Sequence, residues 1–272
     1  MVRKTGAVFM YRKAVVKGTF YPDSPGAVSE FLDSISVSGK YNAKIAIVPH
    51  AGYIYSGETA IKTLKSIEEI KSTVVLLGPN HTGLGEKVAV YPGGSWQTVF
   101  GDVDINQQKA DILINTSSLF KGDVLAHLQE HSLEVILPIL KKIRHDISIV
   151  PITVSHLTKH ECFSVAGDLL KIIEEDVTVV VSTDFNHFEN EDVTNLKDKL
   201  AIDKVLDIDP EGLYDTVFEN RISMCGVFPV TIALYLAKLM ELKSAKLIEH
   251  TTSAKRSGDY NRVVGYAGIL IG

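Results

Sequence analysis

The sequence predicts an α/β fold, with a central, mainly parallel or mixed β-sheet and helices on both of its faces. Three observations carry that expectation. Short β-branched apolar runs alternate with longer amphipathic stretches along the chain, the pattern of repeated strand–helix units. The 272 residues, 45% of them hydrophobic, suffice for one large core and lie near the length at which single cores stop growing. No repeat, low-complexity tract or linker divides the chain, so residues 1–272 read as a single domain.

In chain order, residues 26 to 36 read as a helix, and "AKIAIV" (43 to 48) as the first buried strand. Ala60, Leu64 and Ile67 then recur at helical spacing. "TVVLLG" (73 to 78) is the second strand. The segment "KVAVYPGGSWQTVFGDVDI" alternates apolar and polar residues about a Pro-Gly-Gly turn and reads as a hairpin added to the sheet. Leu133, Ile136, Leu137, Leu140 and Ile143 make the next helical stripe, followed by strands at "ISIVPITV" (147 to 154) and "VTVVVS" (177 to 182). Helices are expected near 161 to 174, 191 to 207, 210 to 220 and 229 to 242, with Pro210 and Pro229 suited to first-turn positions. "VVGYAGILI" (263 to 271) closes the sheet.

Composition narrows the function classes. The net charge of -5 is spread without a basic run, so neither nucleic acid nor an anionic membrane surface is an expected partner. No stretch reaches the roughly 18 to 20 apolar residues of a membrane span. Two widely separated cysteines, Cys162 and Cys225, make no disulfide framework and fit a reducing, cytoplasmic setting. The N-terminus starts with the positive charge of a signal peptide, but Arg12, Lys13 and Lys17 interrupt every apolar core there, which argues against export.

The chemistry lies just beyond the strand ends. "IAIVPH" delivers His50, "VVLLGPNH" delivers His81, and "VTVVVSTDFNH" delivers Asp184 and His187. Ligands of open α/β sheets bind outside the carboxyl ends of the strands, so these groups can meet although distant in sequence. Any one histidine is explained as a hydrogen-bonded loop residue. Three after three strands, among Gly and Pro turns, point to a site. Cys225 in "SMCGVFP", ahead of the helix near Pro229, is a fourth donor, reactive if a helix N-terminus or cation lowers its pKa and inert if apolar burial raises it. Glu130, His131 and Glu134 read as the start of a helix, where carboxylates favour the positive dipole end. His156 reads as a surface or capping residue beside the helix start at 158 to 161, and His127, His145, His160 and His250 carry no pattern.

The segments "VPHAGYIYSG", "LLGPNHTG", "STDFNHF" and "MCGVFP", in that order, resemble the signature segments of the Memo-like family, named for a mediator of cell motility and including the B-type proteins of the AmmeMemoRadiSam system. The likeness runs from "GTFYP" to the C-terminus. It implies a fold similar to the class III extradiol dioxygenases, with His50, His81 and Cys225 at the metal-ligand positions, His187 beside them as acid or base and Asp184 supporting them. Those dioxygenases hold non-heme iron with two histidines and a carboxylate, whereas a thiolate here shifts preference toward copper or zinc and alters the potential of iron. The resemblance thus implies iron or copper, with zinc as a further candidate, and oxidative chemistry on a small-molecule substrate. It also implies work alongside AMMECR-type and radical-SAM proteins, and, for animal members, phosphotyrosine-peptide binding. Two rival readings stand beside it: a non-catalytic module binding a peptide or small ligand, and a metal-free cysteine hydrolase with Cys225 as nucleophile, His187 as base and Asp184 as orienter.

Overall fold

A computed structural model describes residues 10–272. The charged opening, residues 1–9, on which part of the export reading rests, lies outside the described residues.

The chain starts with a short strand, β1 (Tyr11–Arg12), and helix α1 (Pro25–Asp33), whose N-cap Ser24 accepts a bond from the Ala27 amide. The next elements are β2 (Ile45–Val48), α2 (Glu58–Lys65) and β3 (Thr73–Pro79). Then come β4 (Val88–Val90), β5 (Ser95–Thr98), β6 (Gly101–Ile105), α3 (Gln107–Thr116) and β7 (Lys121–Gly122). Helix α4 (Leu137–Ile143) precedes β8 (Ser148–Val154), α5 (Lys159–Leu169) and β9 (Val177–Ser182). The chain ends with β10 (His187–Glu189), α6 (Glu191–Leu206), α7 (Pro210–Glu219), α8 (Val227–Leu239), β11 (Ala245–Thr252), α9 (Ala254–Ser257) and β12 (Val263–Ile271).

The central strands β8, β3, β9 and β2 run parallel and side by side, while β12 pairs antiparallel to β2. The sheet is therefore mixed, and its parallel centre is made of the Val/Ile-rich runs. Every residue of β2, β3 and β9 is buried, as strands covered on both faces require. Helix α2 packs against β2, β11 and β12, whereas α5, α7 and α8 pack together and α8 rests on β9, β3 and β2. One continuous apolar cluster joins these layers. Each fully buried Val, Ile or Leu contributes about 1.5–3 kcal/mol, so the strand runs dominate what holds the sheet. No helix among the described residues is long and apolar enough to cross a membrane.

Two expectations are corrected. The hairpin does not turn at Pro92-Gly93-Gly94: β4 pairs with β7 and with the end of β8, and the hairpin is β5 with β6. The turn sits at Val99 and Phe100, where the Thr98 hydroxyl donates to the Gly101 carbonyl at 2.6 Å and accepts from the Phe100 amide at 3.0 Å. The Pro-Gly-Gly segment instead carries the chain from one pairing to the next. The second correction concerns residues 130 to 134. Helix α4 begins only at Leu137, so Glu130 and Glu134 do not sit in its first turn and the dipole explanation fails. Both carboxylates are 1% exposed and bound to specific partners. Helix α3 and strand β11 also form where no element was expected.

Candidate metal centre

The parallel strands β2, β3 and β9 end on the same edge, and each delivers polar groups there. His50 follows β2 by two residues and is 2% exposed. Its amide donates to Asp184 Oδ1 at 2.9 Å, and its Nδ1 bonds the Ser182 hydroxyl at the end of β9. His81 follows β3. Its Nδ1 lies 2.9 Å from Glu130 Oε1, and its amide donates to the other oxygen of the same carboxylate.

A third imidazole completes the group. The His131 ring stacks on His81 with centroids 4.7 Å apart and meets His50 edge-on at 5.5 Å, while His50 and His81 are themselves edge-to-face at 5.2 Å. One ring nitrogen from each of His50, His81 and His131 lies within 4.8 Å of the others, a group that can hold a metal ion. Sequence reasoning placed His50 and His81 here and missed His131, because His131 comes from an irregular segment and follows no strand. The available signal was the run Glu130-His131-Ser132 ahead of an apolar stripe, three polar residues where a core segment begins.

Close backbone approach lets these segments meet. A Cβ on Gly78 would stand 2.7 Å from Leu133 Cδ2 and 2.9 Å from the Ser132 hydroxyl, so glycine lets the His131 segment lie on the end of β3. Likewise a Cβ on Gly226 would stand 2.5 Å from Thr183 Cβ, and glycine there lets the Cys225 loop reach the end of β9.

Cys225 lies beside His50, with Sγ 3.4 Å from His50 Nε2, and accepts the Asp184 amide at 3.2 Å. Burial first, and then the Asp184 charge, pushes its thiol well above the ordinary range; a bound cation acts in the opposite direction. His187 is tied to Ser223, two residues before Cys225. Its Nδ1 donates to the Ser223 carbonyl at 2.8 Å and its amide to the Ser223 hydroxyl at 2.7 Å, and it is not one of the three grouped rings. Asp184 is buried, which raises its pKa against the lowering pull of the His50 amide.

The hydrolase geometry is therefore not the one found. The imidazole beside the Cys225 sulfur is that of His50, not His187, and Asp184 binds the His50 amide rather than the His187 ring.

Electrostatics favour the neutral ring, the form that binds metals, at His50 and His131. Burial, followed by its imidazole neighbours, holds His50 well below the ordinary value of 6.5, and burial also lowers His131. Burial alone would raise Glu130, but the His81 ring, the Ser132 amide and His131 outweigh it and hold the carboxyl down to about 2.

The sequence model of the Memo-like protein family matches residues 12–270. A MEMO1 family protein of Metallosphaera sedula is 37% identical over 94% of this chain and 98% of its own length. The corresponding proteins of Thermotoga petrophila (37%, 96% and 100%) and Ignicoccus hospitalis (38%, 96% and 98%) are similar to the same extent. Among solved structures, an uncharacterized protein from Escherichia coli K12 shares the fold at a TM-score of 0.51 and 10% identity, covering 82% of this chain and 98% of that one. A match over nearly the whole chain, from a family model and from relatives above a third identity, makes this chain a member of the Memo-like family.

Proposed function

We propose that the chain is a cytoplasmic metal-binding protein whose centre takes redox-active iron or copper on His50, His81 and Cys225, with His131 as an adjoining nitrogen donor. The observation that carries the proposal is the convergence of three imidazole nitrogens within 4.8 Å at the carboxyl ends of parallel strands. The Cys225 sulfur stands outside that group of three and adjoins it through His50. Two donors about 2.0 and 2.3 Å from one ion at a tetrahedral angle stand roughly 3.5 Å apart, and His50 Nε2 and Cys225 Sγ are 3.4 Å apart. Such an ion supplies one-electron chemistry or polarisation of a bound oxygen atom.

The chain's own residues provide the rest. Asp184 holds the His50 backbone, and His187, fixed by Ser223, is the candidate acid or base at the edge. A cavity of about 730 Å³ lined by Phe20, Tyr21, Phe31 and Tyr53 has the size and aromatic walls of a small-molecule site. Its Phe20 ring lies 4.8 Å from the His131 ring, so the cavity adjoins the centre.

X-ray absorption on anaerobically loaded protein tests the donor set. A sulfur shell near roughly 2.3 Å that vanishes in Cys225→Ser is expected. Nitrogen-only coordination, unchanged in that variant, would assign the third position to His131 and remove Cys225 from the proposal.

A further inference from the structure

We infer that one tripeptide, Glu130-His131-Ser132, fixes the tautomers of both strand-end histidines, so that His50 and His81 present unprotonated Nε2 atoms to the same point before an ion arrives. The inference rests on the metal reading of the site and assigns Glu130, Ser132 and Ser182 as positioning residues.

Proton positions around Glu130 are set by its donors. Both of its oxygens are engaged by groups that can only donate: the His81 amide on Oε2, and the His131 and Ser132 amides, each at 2.9 Å, on Oε1. A carboxyl proton would be directed at one of these N–H groups, so the carboxylate accepts throughout. The His81 Nδ1 that faces Oε1 at 2.9 Å therefore carries the hydrogen, and in the neutral ring Nε2 is left as a lone pair.

His50 is set by a longer route from the same tripeptide. The Ser182 hydroxyl donates its single proton to the Ser132 carbonyl at 2.8 Å. It can then only accept from His50 Nδ1, which must carry the hydrogen. His50 Nε2 is again the lone pair, and it faces Cys225 Sγ. The tripeptide is itself held in place, since the Ser132 hydroxyl donates to the Pro79 carbonyl at 3.0 Å at the end of β3. Histidines that ligate metals commonly have the second ring nitrogen tied in this way, and loss of the tie costs about 10–100-fold in affinity.

Nitrogen NMR of the metal-free protein reads each tautomer directly. In native protein both rings should carry the proton on Nδ1. Ser182→Ala should move His50 toward the Nε2-protonated form and leave His81 unchanged; Glu130→Gln should disturb His81 and leave His50 unchanged. Zinc affinity should fall about 10–100-fold in each variant. Glu130→Asp, which keeps a charged acceptor, replaces Glu130→Gln if the latter does not fold, and should disturb His81 less. The inference is overturned if the rings keep their native tautomers in these variants, or if both rings move together in either one. Because the tautomers are read without an ion, native protein that binds no metal would defeat the metal reading and leave this result standing.

Discussion

Glu130 and Glu134 are four residues apart, equally buried and on the same irregular segment, yet they serve opposite ends. Glu134 faces a permanent cation. It takes the Arg12 guanidinium at 2.8 Å, the Val15 and Val16 amides at 2.9 and 3.0 Å, and the Tyr21 hydroxyl at 2.9 Å. Arg12 also donates to the His127 and Glu130 carbonyls and lies over the Trp96 ring. Glu130 faces imidazoles. The histidines divide in the same manner: His127 is sealed beneath Tyr91 and Trp96 and donates to the Ala89 carbonyl, whereas His131 joins the other two rings. Burial alone therefore does not identify a functional group. A partner that is always charged fixes structure, and a partner that changes protonation or takes a ligand leaves chemistry open.

The largest effect should come from breaking the structural side. Arg12→Ala leaves Glu134 buried without its cation and should destabilise the fold by about 3–5 kcal/mol, read from denaturant midpoints. Tyr21→Phe removes one donor to the same charge and should cost about 1.5–3 kcal/mol. Tyr21→Phe should not alter zinc affinity in the folded protein by more than about twofold, since Tyr21 touches no ring of the centre. Arg12, by contrast, holds the Glu130 carbonyl and so reaches the residue that positions His81. A large affinity loss in Tyr21→Phe would show that the Glu134 network is coupled to the centre through Arg12.

A graded effect is expected from pH. Burial, and then the Arg12 charge, lowers His127 from 6.5 to about 3. As pH falls below 6.5 the unfolded chain takes up this proton and the folded one does not, so stability is present above 6.5 and is lost on the way down to about 3. The contribution is about 1.4 kcal/mol per pH unit in that window. His127→Gln should flatten the dependence of metal-free protein by about that slope, and an unchanged slope would place the acid sensitivity elsewhere.

The sheet and two site histidines were legible because their signals are local. β2, β3, β8, β9 and β12 are runs of β-branched residues bounded by turns, and the residue after a parallel strand faces the ligand edge by topology. His131 was not legible, since what brings it to His50 and His81 is a tertiary contact made close by Gly78, with no periodicity to announce it. Glu130 and Glu134 looked alike in sequence for the same reason: their difference lies in Arg12, more than a hundred residues away along the chain. The hairpin was misplaced because a Pro-Gly-Gly run is a turn signal, whereas Thr98 builds the actual turn with its side chain.

The most direct test of the account is the metal content of protein loaded anaerobically with iron, copper or zinc and freed of excess ion, measured for native chain, His50→Ala with His81→Ala, and Tyr21→Phe. The expected result is one ion per chain in native and Tyr21→Phe protein and none in the double histidine variant. No bound ion in native protein, or an undiminished ion in the double variant, would contradict the assignment of this cluster as a metal centre.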